Sequence, residues 1–519
     1  MFHIRRLSKF VANGLLLALS VLICLVAAEA ATRLIDDLPL TAATLPAAYS
    51  GGLGNDTTAQ HLDKIPRAAG VAREWYYSGP PPLPNRRAVP QEWLALSRQL
   101  EAKGTRRPSG FRPQDYFKAW NAAFVGNPCD QAFFSDMPGK LFVYDPPEGD
   151  RLPWFRFLPN STTPAGLVTN EFGWRGPPVR FVRSPNTIRI VFVGSSTIVG
   201  PHQFAYALPE LIGHWLDLWA AGRRPDLRFE VMSAARESLT STNIEAVVRQ
   251  EVAPTRPDLV IYSEGGNEFA LESVVANMPP TATAPRAGKH EGLAAWLQSA
   301  SRHSALARRL QALTGFEGIS EGGRELPKPD YEIRWPQGLD ERDPDLRFPD
   351  LPVNLTTILR NLDHIRGDLA AVDSELALTS FIWMVKDGMV LNPIRNRVLW
   401  EHLNIVHFPY RYRDLERLAA FQNRVLAKHA AEHRLPFIDV AGLMPFDPDL
   451  FADSIHENWS GMRLKAWVML QQLIPVIEQR LASGAWPKPV PAMAETHPAF
   501  RIPPRELTFD CPATSSVSR

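Results

Sequence analysis

Thr187 to Gly200, TIRIVFVGSSTIVG, constrains the chain more than any other stretch. β-branched and apolar residues run from Ile188 to Val193 and stop at Gly194-Ser195-Ser196, and a helical pattern begins after Pro209. A continuous apolar run of this kind fits a parallel strand covered on both faces, and in open α/β sheets ligands bind beyond the carboxyl ends of the strands. The stretch is therefore expected to deliver a hydroxyl, that of Ser196, to the open edge of a sheet as a nucleophile.

Strand and helix patterns alternate downstream. Strands are expected at Ile188 to Val193, Phe229 to Met232, Asp258 to Ser263, Leu378 to Met384 and Pro436 to Val440. Helices are expected at Leu208 to Ala220, Asn243 to Glu251 (capped by Ser241 or Thr242), 355–375, Leu415 to Glu432 and Trp459 to Leu481. This alternation predicts a parallel sheet with right-handed crossovers and helices on both faces.

The N-terminus bears on location. Phe10 to Ala28 carries no charge; Arg5, Arg6 and Lys9 precede it, and Glu29, Arg33, Asp36 and Asp37 follow. Such a run is about long enough to cross a hydrocarbon core, and the positive-inside rule puts the N-terminus in the cytoplasm and the bulk outside it. The division is then a basic N-terminus at 1–9, a transmembrane signal-anchor at 10–31, an extension at 32–150, the α/β domain at 151–482 and a proline-rich tail at 483–519. A cleaved signal peptide is the rival, because Ala28-Glu29-Ala30 resembles a small-x-small cleavage site. A net charge of +1 argues against non-specific nucleic-acid binding, which needs a basic stripe.

Forty-seven prolines predict much irregular chain around the core. Many fall between about 276 and 352, an insertion bracketing an amphipathic helix near Gly292 to Leu313. A lid or clamp, a membrane-surface helix and a packed helix are all open readings. In the extension, Gln91 to Lys103 and Gln114 to Phe124 read as short helices. Trp75, Tyr76, Tyr77, Tyr116, Phe117 and Trp120 read either as the core of a subdomain or as a carbohydrate-stacking surface. Arg175 reads as packing on Trp174 or as reaching an anionic substrate. Outside the apolar run the cysteines are Cys129 and Cys511, which either pair, tying the tail to the extension, or stay free. Neither has a metal-site spacing, and no metal or cofactor is expected.

Three more blocks fall at strand and helix ends: Ser233-Ala234-Ala235-Arg236 after the second strand, Glu264-Gly265-Gly266-Asn267-Glu268 after the third, and Asp453-Ser454-Ile455-His456 before the last helix. In order and placement, over roughly 186–482, they resemble the blocks of the SGNH (GDSL-like) hydrolase superfamily; the lead-in Asn170 to Pro177 resembles the approach segment of its membrane-anchored members. Ser195 stands where that family usually has aspartate, Ala235 where it has glycine, and Glu268 where it has aspartate. The resemblance implies a three-layer α/β/α, flavodoxin-like fold.

A serine hydroxyl becomes a nucleophile when an imidazole can take its proton, and the imidazole needs a carboxylate to fix its tautomer. Asp453, three residues before His456, lets one loop supply both, with Phe451 and Ile455 fastening it. The alternative is that His456 merely caps the last helix. His202, His214, His402 and His407 read as surface or packing residues. By resemblance the oxyanion donors are the N–H groups of Ser196 and Ala235 and the amide of Asn267, with Ser195, Gly265 and Glu268 bracing the loops. The resemblance further implies an esterase or O-acyltransferase working on acyl, above all acetyl, esters of envelope carbohydrate. A lipid esterase and a non-catalytic carbohydrate-binding or scaffold protein are the alternatives.

Overall fold

In the computed structural model the described residues are 2–35, 59–89, 140–143, 159–162, 166–180, 182–200, 205–279, 303–314, 323–392, 396–489 and 505–508, with a few isolated positions between them. The expected helices at Gln91 to Lys103 and Gln114 to Phe124, together with Tyr116, Phe117, Trp120, Cys129, His202 and Cys511, lie outside the described residues. The chain forms two compact units: Met1–Ser50 with Thr283–Pro327 and Gly388–Pro409, and Gly51–Ala282 with Lys328–Asp387 and Tyr410–Arg519. The segment expected as one insertion, 276–352, is thus divided between them.

In the first unit, helix α1 (Phe2–Ile35) contains the one helix segment among the described residues long and apolar enough to cross a membrane, Asn13–Ile35. Its Leu15, Leu16, Leu22 and Val26 are exposed. Near its end, Glu29 accepts hydrogen bonds from Ser304 Oγ (2.7 Å) and from the amides of Ala305 (2.8 Å) and Leu306 (3.0 Å). Arg33 donates to the carbonyl of His303 (2.7 Å). The helix Ala305–Thr314 covers the end of the pattern expected near Gly292 to Leu313, whose beginning lies outside the described residues, and its free N-terminal amides are met by a carboxylate, which a helix dipole favours.

The second unit is built on a five-stranded parallel sheet: β1 (Thr187–Gly194), β2 (Arg228–Ser233), β3 (Leu259–Ser263), β4 (Glu375–Thr379) and β5 (Phe437–Ile438), in the order β2-β1-β3-β4-β5. Every residue of β1 and β3 is buried, as their unbroken apolar runs require. The helices are α2 (Leu208–Arg223), α3 (Ser241–Val247), α4 (Leu355–Ala370), α5 (Tyr412–Glu432) and α6 (Trp459–Ala482). α2 packs on β2 and on α6; α3 packs on α4, and α4 on α5 and β4. The result is a flavodoxin-like three-layer α/β/α fold.

Several boundaries differ from the sequence pattern, each for a local reason. β4 ends at Thr379 and does not run on to Met384. Beyond it the Asn423 side chain takes over the backbone of Phe381, accepting from its amide (2.7 Å) and donating to its carbonyl (2.9 Å). β5 stops before Asp439, whose carboxylate accepts the Gly442 amide (3.0 Å) and so starts a turn. Thr240, not Ser241 or Thr242, precedes α3, and α3 widens into a π turn (Val248–Val252) before the turn containing Pro254, which has no amide to donate.

Residues outside the sheet are tied onto it. Tyr76 is buried, stacks on Trp215 (6.2 Å between centroids) and meets Trp467 edge-on (5.6 Å), so it is core; Tyr77 is exposed. His214 Nε2 pairs with Ser78 Oγ (2.9 Å), and His402 and His407 lie edge to face (4.7 Å). Lys140–Val143 pairs antiparallel with Arg505–Thr508, which returns the tail to the extension through the backbone.

Arg175 reaches neither solvent nor a substrate. It is 1% exposed, donates to Glu210 (2.6 Å) and to the carbonyl of Val199 (2.9 Å), and its backbone bridges to Ser233 of β2. Removing one partner of a buried ion pair leaves the other charge uncompensated. Arg175→Ala is therefore expected to lower unfolding free energy by about 3–5 kcal/mol, and Arg175→Met with Glu210→Leu to recover most of it. Chemical denaturation of the detergent-solubilised protein measures both.

Candidate active site

The register of three neighbouring strands assembles the site. Phe192 of β1 pairs with Ser233 of β2, and Gly194 of β1 pairs with Ser263 of β3. The blocks that follow these strands therefore emerge side by side. Gly194 permits this closeness, because a Cβ there would lie 2.3 Å from the carbonyl oxygen of Ser263. Ser195 is extended, and Ser196 opens a single helical turn, Ser196–Val199. At a helix start the first amides have no intrahelical acceptor, and the Ser196 N–H is one of these. The far side of the turn is held by Arg175 on the Val199 carbonyl and by Lys465 on the Thr197 carbonyl (3.3 Å).

The loop carrying Asp453 and His456 is closed by a bridge between Phe451 and Glu457 and by the Ala452 amide on the His456 carbonyl (2.8 Å). Phe451 is buried and Ile455 half-buried. A further fastening comes from Met384, whose amide donates to the carbonyl of Ser454 (2.7 Å). The residues that leave β4 thus serve as the shelf for this loop. His456 does not cap α6: Asn458 does, accepting the Gly461 amide (3.0 Å).

Ser196 Oγ lies 2.7 Å from His456 Nε2, and His456 Nδ1 lies 2.8 Å from Asp453 Oδ2. Asp453 Oδ1 accepts the amides of Ile455 (2.9 Å) and His456 (2.8 Å), which fixes the carboxylate relative to the ring. An ionised carboxylate only accepts, so Nδ1 carries the proton and Nε2 is left to receive that of Ser196. Burial opposes charge on His456, yet Asp453, by its charge and hydrogen bond, and Glu457 outweigh it and raise the imidazole pKa above its ordinary value. About a third of the side chain remains exposed, so the ring faces an accessible space (34%). Glu457 is itself paired with Lys465 (3.0 Å), so one lysine joins the turn of Ser196 to the loop of His456.

The carboxylate absent at position 195 is found directly after the neighbouring strand, β3. Ser195 Oγ donates to Glu264 Oε2, while Glu264 Oε1 accepts the amides of Gly266 (2.8 Å) and Asn267 (2.7 Å). Glu264 is 2% exposed; burial pushes its pKa up, and the bonds from Ser195, Asn267, Gly266 and Gly265 pull against that. Sequence reasoning passed over Glu264 and Lys465. The signal for Glu264 was positional, since it follows β3 as Ser195 follows β1.

The remaining expected residues are placed as follows. Ala235 is buried and has no positive φ, so a side chain is tolerated where glycine was the family pattern; its amide makes a long contact with Ser233 Oγ (3.3 Å). Asn267 is exposed and spends one amide proton on the Leu239 carbonyl (2.9 Å), keeping the other. Glu268 accepts the amide of Ser241 and so ties its loop to the start of α3. Gly265 is held through its carbonyl by Gln422 Nε2 (2.8 Å). Arg236, beside Ala235, is buried against Glu251, which also accepts from Trp174 Nε1 (3.0 Å).

No protein-family model matches the chain, and no curated protein matches it. Solved structures to which it is similar include a GDSL-like lipase of Bacteroides thetaiotaomicron, 12% identical over 56% of this chain and 88% of the other, with a TM-score of 0.27. An acetylxylan esterase of Geobacillus stearothermophilus is 13% identical over 56% and 96%, with a TM-score of 0.30. A lipase/acylhydrolase of Enterococcus faecalis is 15% identical over 56% and 96%, with a TM-score of 0.30.

The Ser195–Glu264 pairing predicts a reciprocal result. Ser195→Asp alone sets a second carboxylate against a buried one, and like charges so placed disfavour ionisation of both. The single variant is expected to melt lower than wild type, and Ser195→Asp with Glu264→Gln to regain most of the loss. Thermal unfolding of the three proteins in one detergent checks this.

Proposed function

We propose that the chain is a membrane-anchored serine esterase or O-acyltransferase of the SGNH type, which acts on acyl esters through an acyl-enzyme on Ser196. The observation that carries the proposal is the unbroken line from Ser196 Oγ through the His456 ring to Asp453, with both contacts below 3 Å. Ser196 Oγ attacks the ester carbonyl while His456 Nε2 takes its proton, and Asp453 stabilises the imidazolium. Collapse of the tetrahedral intermediate breaks the bond to the alcohol, which leaves with the proton from His456. Water or a second hydroxyl then attacks the acyl-enzyme by the same steps in reverse, regenerating Ser196.

The donors proposed for the oxyanion are the N–H of Ser196, the N–H of Ala235 and the free amide proton of Asn267. Acetyl esters of envelope carbohydrate are the proposed substrates, by the sequence resemblance alone.

Retention of α1 as an anchor is supported by Glu29. The small-x-small triplet Ala28-Glu29-Ala30 lies within the helix, and cleavage there would break up the carboxylate's bonds to Ser304, Ala305 and Leu306. With Arg5, Arg6 and Lys9 before the span, the positive-inside rule places the catalytic unit outside the cytoplasm.

Turnover of a short acyl ester such as p-nitrophenyl acetate, together with phosphonate labelling of the serine, tests the proposal. Ser196→Ala is expected to lose labelling and about 10⁴–10⁶ in kcat; equal turnover by the two proteins would overturn the enzyme reading. Because His456 acts as a base only when neutral, and its pKa is raised, the acid limb of kcat/KM should lie above pH 6.5. In Asp453→Asn the charge that raises it is gone, so the limb should move to lower pH while kcat drops by roughly 10⁴. Asn267→Ala is expected to cost ~10²–10³ in kcat, the usual loss for an oxyanion donor.

A further inference from the structure

Away from Ser196, helices α4 and α5 bring three ligand-bearing side chains together. His429 lies in the last turn of α5 and His433 directly follows its final residue, and the two rings meet edge to face (4.5 Å between centroids). Asp363 comes from α4, which packs against it. Asp363 Oδ1 lies 3.9 Å from His429 Nε2 and 3.4 Å from His433 Nε2, and one ligand atom from each residue lies within 4.8 Å of the other two.

These distances exceed the roughly 2.7–3.2 Å of an N–H···O hydrogen bond. The shorter of them, between Asp363 and His433, fits a different geometry. Ligands about 2.0–2.1 Å from a tetrahedral ion are separated from one another by about 3.3 Å. His429 is 2% exposed, and its Nε2 has no hydrogen-bond partner, although a buried ring nitrogen ordinarily has one. Asp363 and His433 are partly open to solvent, which gives an ion a way in and a water a fourth position (side chains 45% and 30% exposed).

We propose that Asp363, His429 and His433 bind a divalent transition metal, zinc being the ion suited to two imidazoles, one carboxylate and one water. The ion pins α4 to α5. α5 returns the chain from the end of β4 to the start of β5, so its last turns lie at the end of the sheet opposite Ser196, and the site is structural rather than part of ester chemistry. The group that faces it in competition is Arg366, which donates to Asp363 Oδ1 (3.1 Å) from one turn along α4. An ion must share or displace that contact, which gives the proposal a test in both directions.

The untagged full chain in detergent, stripped with a chelator, is titrated with Zn²⁺ against a chromophoric chelator, and its melting temperature is followed. Wild type is expected to bind one equivalent and to melt higher with zinc. His433→Ala and Asp363→Asn, both at partly exposed positions, should bind at least roughly tenfold more weakly, the lower end of what even outer-shell changes cost. Arg366→Ala should bind more tightly than wild type, because it frees the Asp363 carboxylate. Should the His433→Ala and Asp363→Asn proteins titrate like wild type, or zinc leave the melting temperature unchanged, the site is refuted.

Discussion

The packing of β1 against β3 is the constraint on which the site depends. Their register sets Gly194 beside Ser263 with no room for a Cβ, so the next residues along, Ser195 and Glu264, are adjacent by construction. A buried carboxylate there needs donors. It finds them in the Ser195 hydroxyl and in the amides of Gly266 and Asn267. Those bonds fold the loop after β3 back over the end of β1. Asn267 and Ser196 are thereby positioned by one carboxylate that touches neither the His456 ring nor any reacting atom.

A second set of buried charges secures the same edge from below. Arg175 holds the Val199 carbonyl, Lys465 holds that of Thr197 while paired to Glu457, and Arg236 is held by Glu251 beneath the loop after β2. Well-packed apolar residues would often stabilise a fold as much or more. What apolar residues lack is donors for carbonyls stranded at the end of a one-turn helix. Arg175 and Lys465 supply those donors at the turn of Ser196.

This division explains what was legible in the sequence. Ile188 to Val193 and Leu259 to Ser263 announced themselves because strands buried on both faces need unbroken apolar runs. The run from Leu378 to Met384 looked the same and misled, because apolarity reports burial, not strand pairing; beyond Thr379 the chain is buried as a shelf for the Asp453–His456 loop. Ser196, Asp453 and His456 could be named from the resemblance of their blocks to those of SGNH hydrolases, helped by the three-residue spacing of Asp453 and His456. Glu264 could not, since its meaning depends on lateral strand order. The pair His429 and His433 is visible as a four-residue spacing, but Asp363 reaches it only through the packing of α4 on α5, so the sequence suggested no ligand set.

The same dependence on partners holds at the end of the apolar helix α1. A carboxylate in hydrocarbon would be costly, yet Glu29 is near the end of an otherwise apolar helix and is surrounded by donors: Arg33, Ser304 and the amides of Ala305 and Leu306. The 19 residues from Phe10 to Ala28 rise about 28 Å as a helix, close to the ~30 Å of a hydrocarbon core. The uncharged span therefore ends where Glu29 begins, next to the turn from His303 to Leu306. The docking of that turn makes the ion pair of Glu29 and Arg33 a joint between the span and the rest of its own unit. An apolar helix followed directly by a flexible linker would leave the following chain free to swing. The hydrogen bonds gathered on Glu29 restrict that freedom for the insertion's helix.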